Sequence, residues 1–119
     1  MVDRPTWTLT TRAGSQVERV NLETLEEALA ALDQRVEELT PEASREEVRF
    51  LSRRIEPARQ VAARLEISRS GGRRGSVRGG VDLRGDGSTE AFTGRVRRTV
   101  IEQRRGESAT DALRRALAT

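Results

Sequence analysis

The sequence predicts an α+β fold in which helices cover one face of an antiparallel sheet, in the order β-β-α-α-β-β-β-α. Segments in which apolar and polar residues alternate indicate half-buried strands, and apolar residues spaced three and four apart indicate helices. Glycine and proline mark the joints between these segments. The 119 residues suffice for one small domain. We divide it into a loose terminus at 1–5, an acidic half at 6–58 and a basic half at 59–119.

The chain begins with a predicted β-hairpin. Apolar and polar residues alternate over 6–12, with Trp7 and Leu9 on one side of the strand. Residues 13–15 contain a glycine suited to a turn. Residues 16–22 form a second, shorter strand with Val20 and Leu22 facing inward.

Two helices are expected next. Thr24 and Glu27 have the spacing of a capping box, in which the threonine oxygen accepts from the first turn and the glutamate reaches back. Thr40-Pro41 predicts a stop and a restart, because proline is favoured at the first position of a helix and threonine can cap it. The second helix is expected over about 41–55, before Pro57 ends it.

The first helix carries a narrow apolar stripe with the three-four spacing of a coiled-coil seam. Our main interpretation is that the stripe lies on the sheet. The alternative is that it pairs with its copy in a homodimer. Its members are Leu22, Leu25, Leu29, Leu32, Val36 and Leu39.

Three strands and a short helix are predicted after residue 59. The first runs over 60–69 and the second over 76–84, where Gly79 and Gly80 indicate a bulge or a close backbone approach. Residues 85–88 predict a hairpin turn. The third strand is expected from 89 to as far as 103, although 95–103 also fit a helical spacing. A second capping box at Ser108 and Asp111 begins the last helix.

The expected core combines the inward positions of all these elements. It comprises Trp7, Leu9, Leu25, Leu29, Leu32, Val36, Leu51, Ile55, Val61, Leu65, Ile67, Val81, Leu83, Phe92, Val96, Leu113 and Leu117.

Composition argues against an enzyme. Histidine and cysteine are absent, so the most frequent general base, nucleophile and metal ligands are missing, and no acidic cluster has metal-ligand spacing. We therefore expect no catalytic residue, no metal and no cofactor. No apolar run approaches membrane-spanning length and no signal-peptide core is seen, so a cytoplasmic protein is expected.

The distribution of charge is the feature of the sequence that indicates a binding partner. Every one of the 22 basic residues is arginine, and the net charge of +3 is unevenly divided. Residues 1–48 hold five arginines and eleven acids, whereas 49–119 hold seventeen arginines and eight acids. Guanidinium groups bind phosphate bidentately, so the basic half predicts contact with the backbone of duplex or structured RNA or DNA. The residues expected to bind are Arg69, Arg73, Arg74, Arg78, Arg95, Arg97, Arg98, Arg104 and Arg105.

Over residues 41–118 the order helix, three strands, helix resembles that of the double-stranded-RNA-binding domain. The start of that family's second helix is loosely similar to the residues here, which are Ser108, Asp111, Ala112 and Ala116. The lysine cluster of that family is absent, and Arg104 and Arg105 replace it only in part. The likeness is one of element order.

Two alternatives use the same arginines. In the first, the protein is an interaction or oligomeric module in which the acidic half of one copy meets the basic half of another. In the second, the exposed arginines serve only solubility.

Overall fold

A computed structural model describes residues 6–51, 61–69, 77–94 and 97–118, with the backbone alone for 42–51. It consists of a six-stranded antiparallel sheet and two helices, which confirms the predicted α+β class. The elements are β1 (Trp7–Ala13), β2 (Gln16–Leu22), α1 (Leu25–Leu51), β3 (Val61–Arg69), β4 (Val77–Arg84), β5 (Thr89–Thr93), β6 (Thr99–Val100) and α2 (Ala109–Leu117).

The strands lie in the order β2-β1-β3-β4-β5-β6, and each neighbouring pair is antiparallel. The N-terminal hairpin adds to the sheet through β1, which places Leu9 between Val20 of β2 and Ile67 of β3. The hairpin therefore extends the sheet beyond β3 and leaves β2 at its edge.

Both helices pack on the same face of the sheet. The first part of α1 lies over β1 and β3, and α2 lies over β4 and β5. Gly79 permits the close approach of α2, because a Cβ there would stand 2.8 Å from Leu113 Cδ1. The Thr110 hydroxyl donates a hydrogen bond to the Asp33 carboxylate and so joins the two helices.

Both predicted N-caps are present, although at α1 the Glu27 side chain bonds the residue before the N-cap and not Thr24 itself. Thr24 Oγ1 accepts from the Glu27 N–H at 3.1 Å, and the Glu27 carboxylate accepts from the Glu23 N–H at 3.4 Å. Ser108 and Asp111 form the full capping box of α2. Each cap satisfies backbone donors that the first turn of a helix leaves without partners.

The predicted break at Thr40-Pro41 is wrong. A single helix, α1, continues through Pro41 to Leu51. Thr40 does not cap a new helix; its hydroxyl donates to the Val36 carbonyl at 2.6 Å, one turn back. Proline removes one donor from the helix, and its exposed position allows water to satisfy the Glu37 carbonyl. The expected end of the second helix, including Ile55, lies outside the described residues.

The third predicted strand is also shorter than expected. β5 ends at Thr93, and Gly94, with φ of +101°, turns the chain back. The two-residue β6 then pairs antiparallel with β5, so that Val100 stands opposite Phe92. Neither a strand to 103 nor a helix over the described part of 95–103 is present, because glycine at positive φ ends the extended backbone.

Most of the predicted core is confirmed. Its large buried members on the helical face include Leu9, Leu29, Leu32, Leu65, Ile67, Val81, Leu83 and Leu113. Leu25, Val36 and Leu117 are partly buried against them. The prediction that Val61 belongs to the core is wrong, since Val61 lies near the bulge at the start of β3 and is 41% exposed. Leu51 and Val96 fall outside the described side chains. The predicted core omitted five buried alanines, Ala28, Ala63, Ala91, Ala109 and Ala112.

Candidate binding surface on the open face of the sheet

The face of the sheet opposite the helices carries most of the charged side chains of the strands. Successive residues of a strand point to opposite faces, so the register assigns each side chain to one of them. Among the described residues no helix covers this face, and we call it the open face. Its charged and aromatic members are Arg12, Arg19, Arg64, Glu66, Arg78, Asp82, Arg84, Glu90 and Phe92, and Arg98 reaches it from the β5–β6 turn.

An ion pair holds the centre of the open face. Arg64 and Asp82 stand directly opposite each other on β3 and β4. Arg64 Nε and Nη2 donate to the two Asp82 carboxylate oxygens at 2.6 and 3.0 Å. The hydrogen bond to Asp82 raises the pKa of Arg64 despite partial burial, which opposes the charged form. This fork-to-fork geometry fixes the plane of the guanidinium group.

Glu66 forms a second charged cluster next to the first. Its carboxylate accepts from Arg78 at 3.4 Å and lies 3.9 Å from Arg98. The Glu66 side chain is largely covered, whereas both arginines are about one third exposed. One acid therefore serves two cations, and the cluster keeps an excess of positive charge.

Phe92 is buried on the open face, not in the core under the helices. Gly80 lies directly opposite it on β4, and a Cβ at Gly80 would stand 2.8 Å from Phe92 Cζ. The guanidinium groups of Arg64 and Arg98 lie 5.7 and 5.0 Å from the ring centroid. Only 3% of Phe92 is exposed, so this ring is an anchor for arginines and offers no free surface for stacking.

Six of the nine predicted arginines are described, and the structure places them at several separate positions. Arg78 and Arg98 come together around Glu66. Arg69 ends β3 with its guanidinium group 5.0 Å from the Trp7 ring. The exposed residues Arg97, Arg104 and Arg105 lie in the turn after β5 and in the turn before α2. Arg73, Arg74 and Arg95 lie outside the described residues.

Sequence reasoning missed four arginines of the open face. They are Arg12, Arg19, Arg64 and Arg84. The signal that could have found them is the alternation itself, because all four occupy outward positions of predicted strands.

The described part of the open face has an excess of positive charge. Six arginines stand against the three acids Glu66, Asp82 and Glu90. Arg64, Arg78, Arg84 and Arg98 each contact one of these acids, at 2.6 to 3.9 Å. Arg12 and Arg19 are exposed and have no acidic partner among the described residues. Arg12 stands directly opposite Arg64 on the neighbouring strand, and two like charges so placed repel each other.

The opposite side of the molecule is acidic. The exposed positions of α1 before Pro41 hold Glu26, Glu27, Asp33, Glu37 and Glu38. One arginine of this stretch, Arg35, bridges to Glu18 and Glu38 at 3.2 and 2.6 Å. The outer side of α1 before Pro41 is thus acidic, whereas the open face on the other side of the sheet has an excess of arginine.

The turn before α2 is held by a carboxylate. Glu107 accepts from the backbone N–H of Arg104 at 2.7 Å and from Arg115 at 2.9 and 3.0 Å. The hydrogen bonds from Arg115 and then from Arg104 hold the pKa of Glu107 below its usual range. Arg104 and Arg105 are therefore presented by a fixed backbone, although their own side chains are exposed.

The described residues form neither a metal site nor a membrane-spanning helix. Within residues 6–41, 61–69, 77–94 and 97–118, no three acidic side chains come together in a way that could hold a metal ion. No described helix combines the length and the apolar character needed to cross a bilayer.

Comparison with known proteins gives no family for this chain. No family model matches it, and neither a curated protein nor a solved structure shows significant similarity. The likeness to the double-stranded-RNA-binding domain stays one of element order. Four strands, not three, follow α1 in the described chain.

Proposed function

We propose that the protein is a non-enzymatic nucleic-acid-associated protein whose open face contacts the phosphate backbone of duplex or structured RNA or DNA. The observation that carries this proposal is the Arg12–Arg64 pair of positions on β1 and β3. Asp82 neutralises Arg64, whereas Arg12 has no acidic partner among the described residues. An anion seated beside Arg12 would relieve the repulsion between these two positions, and phosphate oxygens suit guanidinium donors.

The surrounding residues support contact with a backbone more than recognition of bases. The single aromatic ring of the described open face, Phe92, is covered by arginines and cannot stack on a base. Thr8, Thr10 and Ser68 add neutral hydroxyl groups on β1 and β3, and such groups also donate to phosphates. We therefore expect binding with little sequence preference.

The exposed arginines of the β5–β6 turn and of the turn before α2 extend the proposed contact. Arg97 and Arg105 lack an acidic side-chain partner within the described chain, as Arg12 and Arg19 do, whereas Arg104 interacts with Glu107, which Arg115 also contacts. Arg73, Arg74 and Arg95 belong to the same proposal on sequence grounds.

The test is a titration of a duplex RNA and a duplex DNA at two salt concentrations. Binding should weaken steeply with salt, because each neutralised phosphate releases condensed counterions. Arg19→Gln should weaken binding to all sequences and flatten the salt slope by about one, the loss of one phosphate contact.

Arg114→Gln is the matched control, since it removes the same charge from α2, where Arg114 pairs with Glu26 and Asp111. It should leave affinity unchanged. Binding that does not respond to salt, or an equal loss in both variants, would exclude the open face as a phosphate-binding surface.

A second candidate is favoured by the opposite charges of the two sides. In an interaction module, the acidic outer side of α1 in one copy would face the basic open face of the next. Such an assembly would dissociate as salt is raised and would grow head to tail, because the two surfaces differ. Light scattering at low and high salt distinguishes it from a nucleic-acid-binding monomer or dimer.

A further inference from the structure

The edge strand β2 has an unoccupied outer side in the described structure. β2 is the first strand of the sheet order and pairs only with β1. None of its seven residues is buried, and Val17 and Val20 are 43% and 48% exposed. Its pairing with β1 is continuous from Gln16 to Leu22, without the proline, lysine or bulge that commonly protects an edge.

Two independent observations show which backbone N–H and C=O groups of β2 point away from β1. The two-residue loop between Ala13 and Gln16 directs the Gln16 N–H toward β1, and the direction alternates from there. At the other side of the sheet, the Gly94 N–H donates to the Arg78 carbonyl, so Arg78 faces β5. In an antiparallel sheet, successive residues direct their backbone groups to opposite neighbouring strands. Following this alternation from Arg78 through the pairings of β4, β3 and β1 again directs the backbone groups of Gln16 toward β1. The outward backbone groups of β2 are therefore those of Val17, Arg19 and Asn21.

Three two-fold registers would pair at least five residues of β2 with the same strand of a second copy. A register centred on Glu18 places Glu18 opposite itself, and one centred on Arg19 places Arg19 opposite itself. Like charges directly opposite each other destabilise a strand pair.

The register centred on Val20 has no such conflict. It places Val20 opposite itself, Arg19 opposite Asn21 and Glu18 opposite Leu22. The outward groups of Arg19 and Asn21 then form hydrogen-bonded pairs, and Val20 occupies the closer, non-hydrogen-bonded position between them.

We propose that a second copy of this chain adds to the sheet through β2, antiparallel and with Val20 of the two copies in contact. The two sheets would become one sheet of twelve strands, with both open faces on the same side. The argument uses the backbone and the apolar residue of the edge, so it does not depend on nucleic-acid binding.

The absence of cysteine from the chain permits a direct test of the register. In the proposed dimer the two Val20 Cα atoms are about 4.5 Å apart, which is within reach of a disulfide. In the same dimer, Val17 of one copy lies opposite residue 23 of the other. The two Val17 Cα atoms are therefore six residues apart along the strands, or about 20 Å. Val20→Cys should therefore form a covalent dimer on mild oxidation, and Val17→Cys, which is equally exposed, should not. Equal cross-linking of both variants, or cross-linking of neither, overturns the proposal.

A second pair of variants tests the same edge without cysteine. Arg19→Pro removes an outward N–H and leaves the bonds to β1 intact, so it should weaken self-association at least tenfold in light scattering while the circular dichroism spectrum is unchanged. Arg19→Gln keeps the N–H and should associate as the parent does. Loss of nucleic-acid binding in Arg19→Gln with an intact dimer would separate this interface from the proposed function. A parent protein that is monomeric at high micromolar concentration would contradict the interface.

Discussion

Arg64 and Asp82 stand directly opposite each other on β3 and β4 and share two hydrogen bonds of 2.6 and 3.0 Å. The Asp82 side chain is only 11% exposed, so it depends on Arg64 to compensate its charge. The same guanidinium group lies over Phe92. One arginine thus connects the charge and the apolar anchor of the open face.

Arg64→Gln is expected to destabilise the protein by about 1–3 kcal/mol, because it leaves a mostly buried carboxylate without its cation. Chemical denaturation at pH 7 measures the change. Arg114→Gln is the control: Arg114 is bonded to Glu26 at the surface, with 40% of its side chain exposed, and the loss there should stay below about 1 kcal/mol. Equal losses in the two variants would show that Asp82 does not depend on Arg64.

Gly80→Ala is expected to destabilise the fold by about 1–3 kcal/mol through overpacking. The new Cβ would stand 2.3 Å from the Leu65 carbonyl oxygen, a backbone atom that cannot rotate away, and 2.8 Å from Phe92. Gly106→Ala serves for comparison, because open space surrounds that position and only its φ of +83° opposes a side chain. We expect a smaller loss there, about 1 kcal/mol, and thermal unfolding ranks the two. A Gly80→Ala protein as stable as the parent would contradict the close contact of Gly80 and Phe92.

The alternation of apolar residues was enough to predict β1 to β4, the start of β5, the helical face of the sheet and most of the large core side chains. It could not predict Phe92 on the open face, because that position depends on a glycine twelve residues earlier on the neighbouring strand. Alternation assigns a residue to a face, whereas its neighbours on that face are set by register.

For the candidate site, too, the sequence pattern could not show which side chains are neighbours on a face. The sequence indicated an arginine-rich half, and its charge excess led to the prediction of a phosphate-bearing partner. It did not indicate which arginines are neutralised within the fold, since Arg64 and Asp82 are eighteen residues apart and meet only through the pairing of β3 with β4. Arg12 and Arg19 lie in the acidic half of the sequence, and the antiparallel pairing of β2 with β1 and of β1 with β3 brings them to the open face.

Stability should fall in acid as the turn and cap around α2 lose their carboxylates. Hydrogen bonds from the Ser108 backbone, the Ser108 side chain and Arg114 hold the pKa of Asp111 below its ordinary value of 3.8. A pKa lowered by folding contributes stability that is complete above the ordinary value and is lost as the pH falls through the lower, folded value. The stability that Asp111 contributes is therefore present at neutral pH and disappears below about pH 4.

Asp111→Asn tests this dependence. The variant should unfold at a lower temperature than the parent at pH 7, and the difference should shrink as the pH is lowered below about 4. Thermal melts followed by circular dichroism at a series of pH values measure it. Glu107→Gln should behave in the same way, because Arg115 lowers the pKa of Glu107. A constant difference between variant and parent at all pH values would exclude the carboxylate as its cause.

The continuity of α1 through Pro41 gives the last prediction, since a continuous helix and a broken one respond oppositely to substitution at residues 40 and 41. In a continuous helix Pro41 is an interior proline, and Pro41→Ala should stabilise the protein by about 1–3 kcal/mol by restoring a donor for Glu37. At the start of a new helix the same change would be nearly neutral, because the first position needs no N–H.

Thr40→Ala distinguishes the two arrangements by sign. The Thr40 hydroxyl bonds back to the Val36 carbonyl, so its loss from a helix interior should be neutral or stabilising by up to about 0.5 kcal/mol. As an N-cap, Thr40 would make the same substitution destabilising by about 1 kcal/mol. Guanidinium chloride denaturation measures the free energy of unfolding of both variants. Thr24→Ala, at the observed cap of α1, shows how large the loss of an N-cap is in this protein. Destabilisation by Thr40→Ala equal to that by Thr24→Ala would mean that a second helix begins at Pro41.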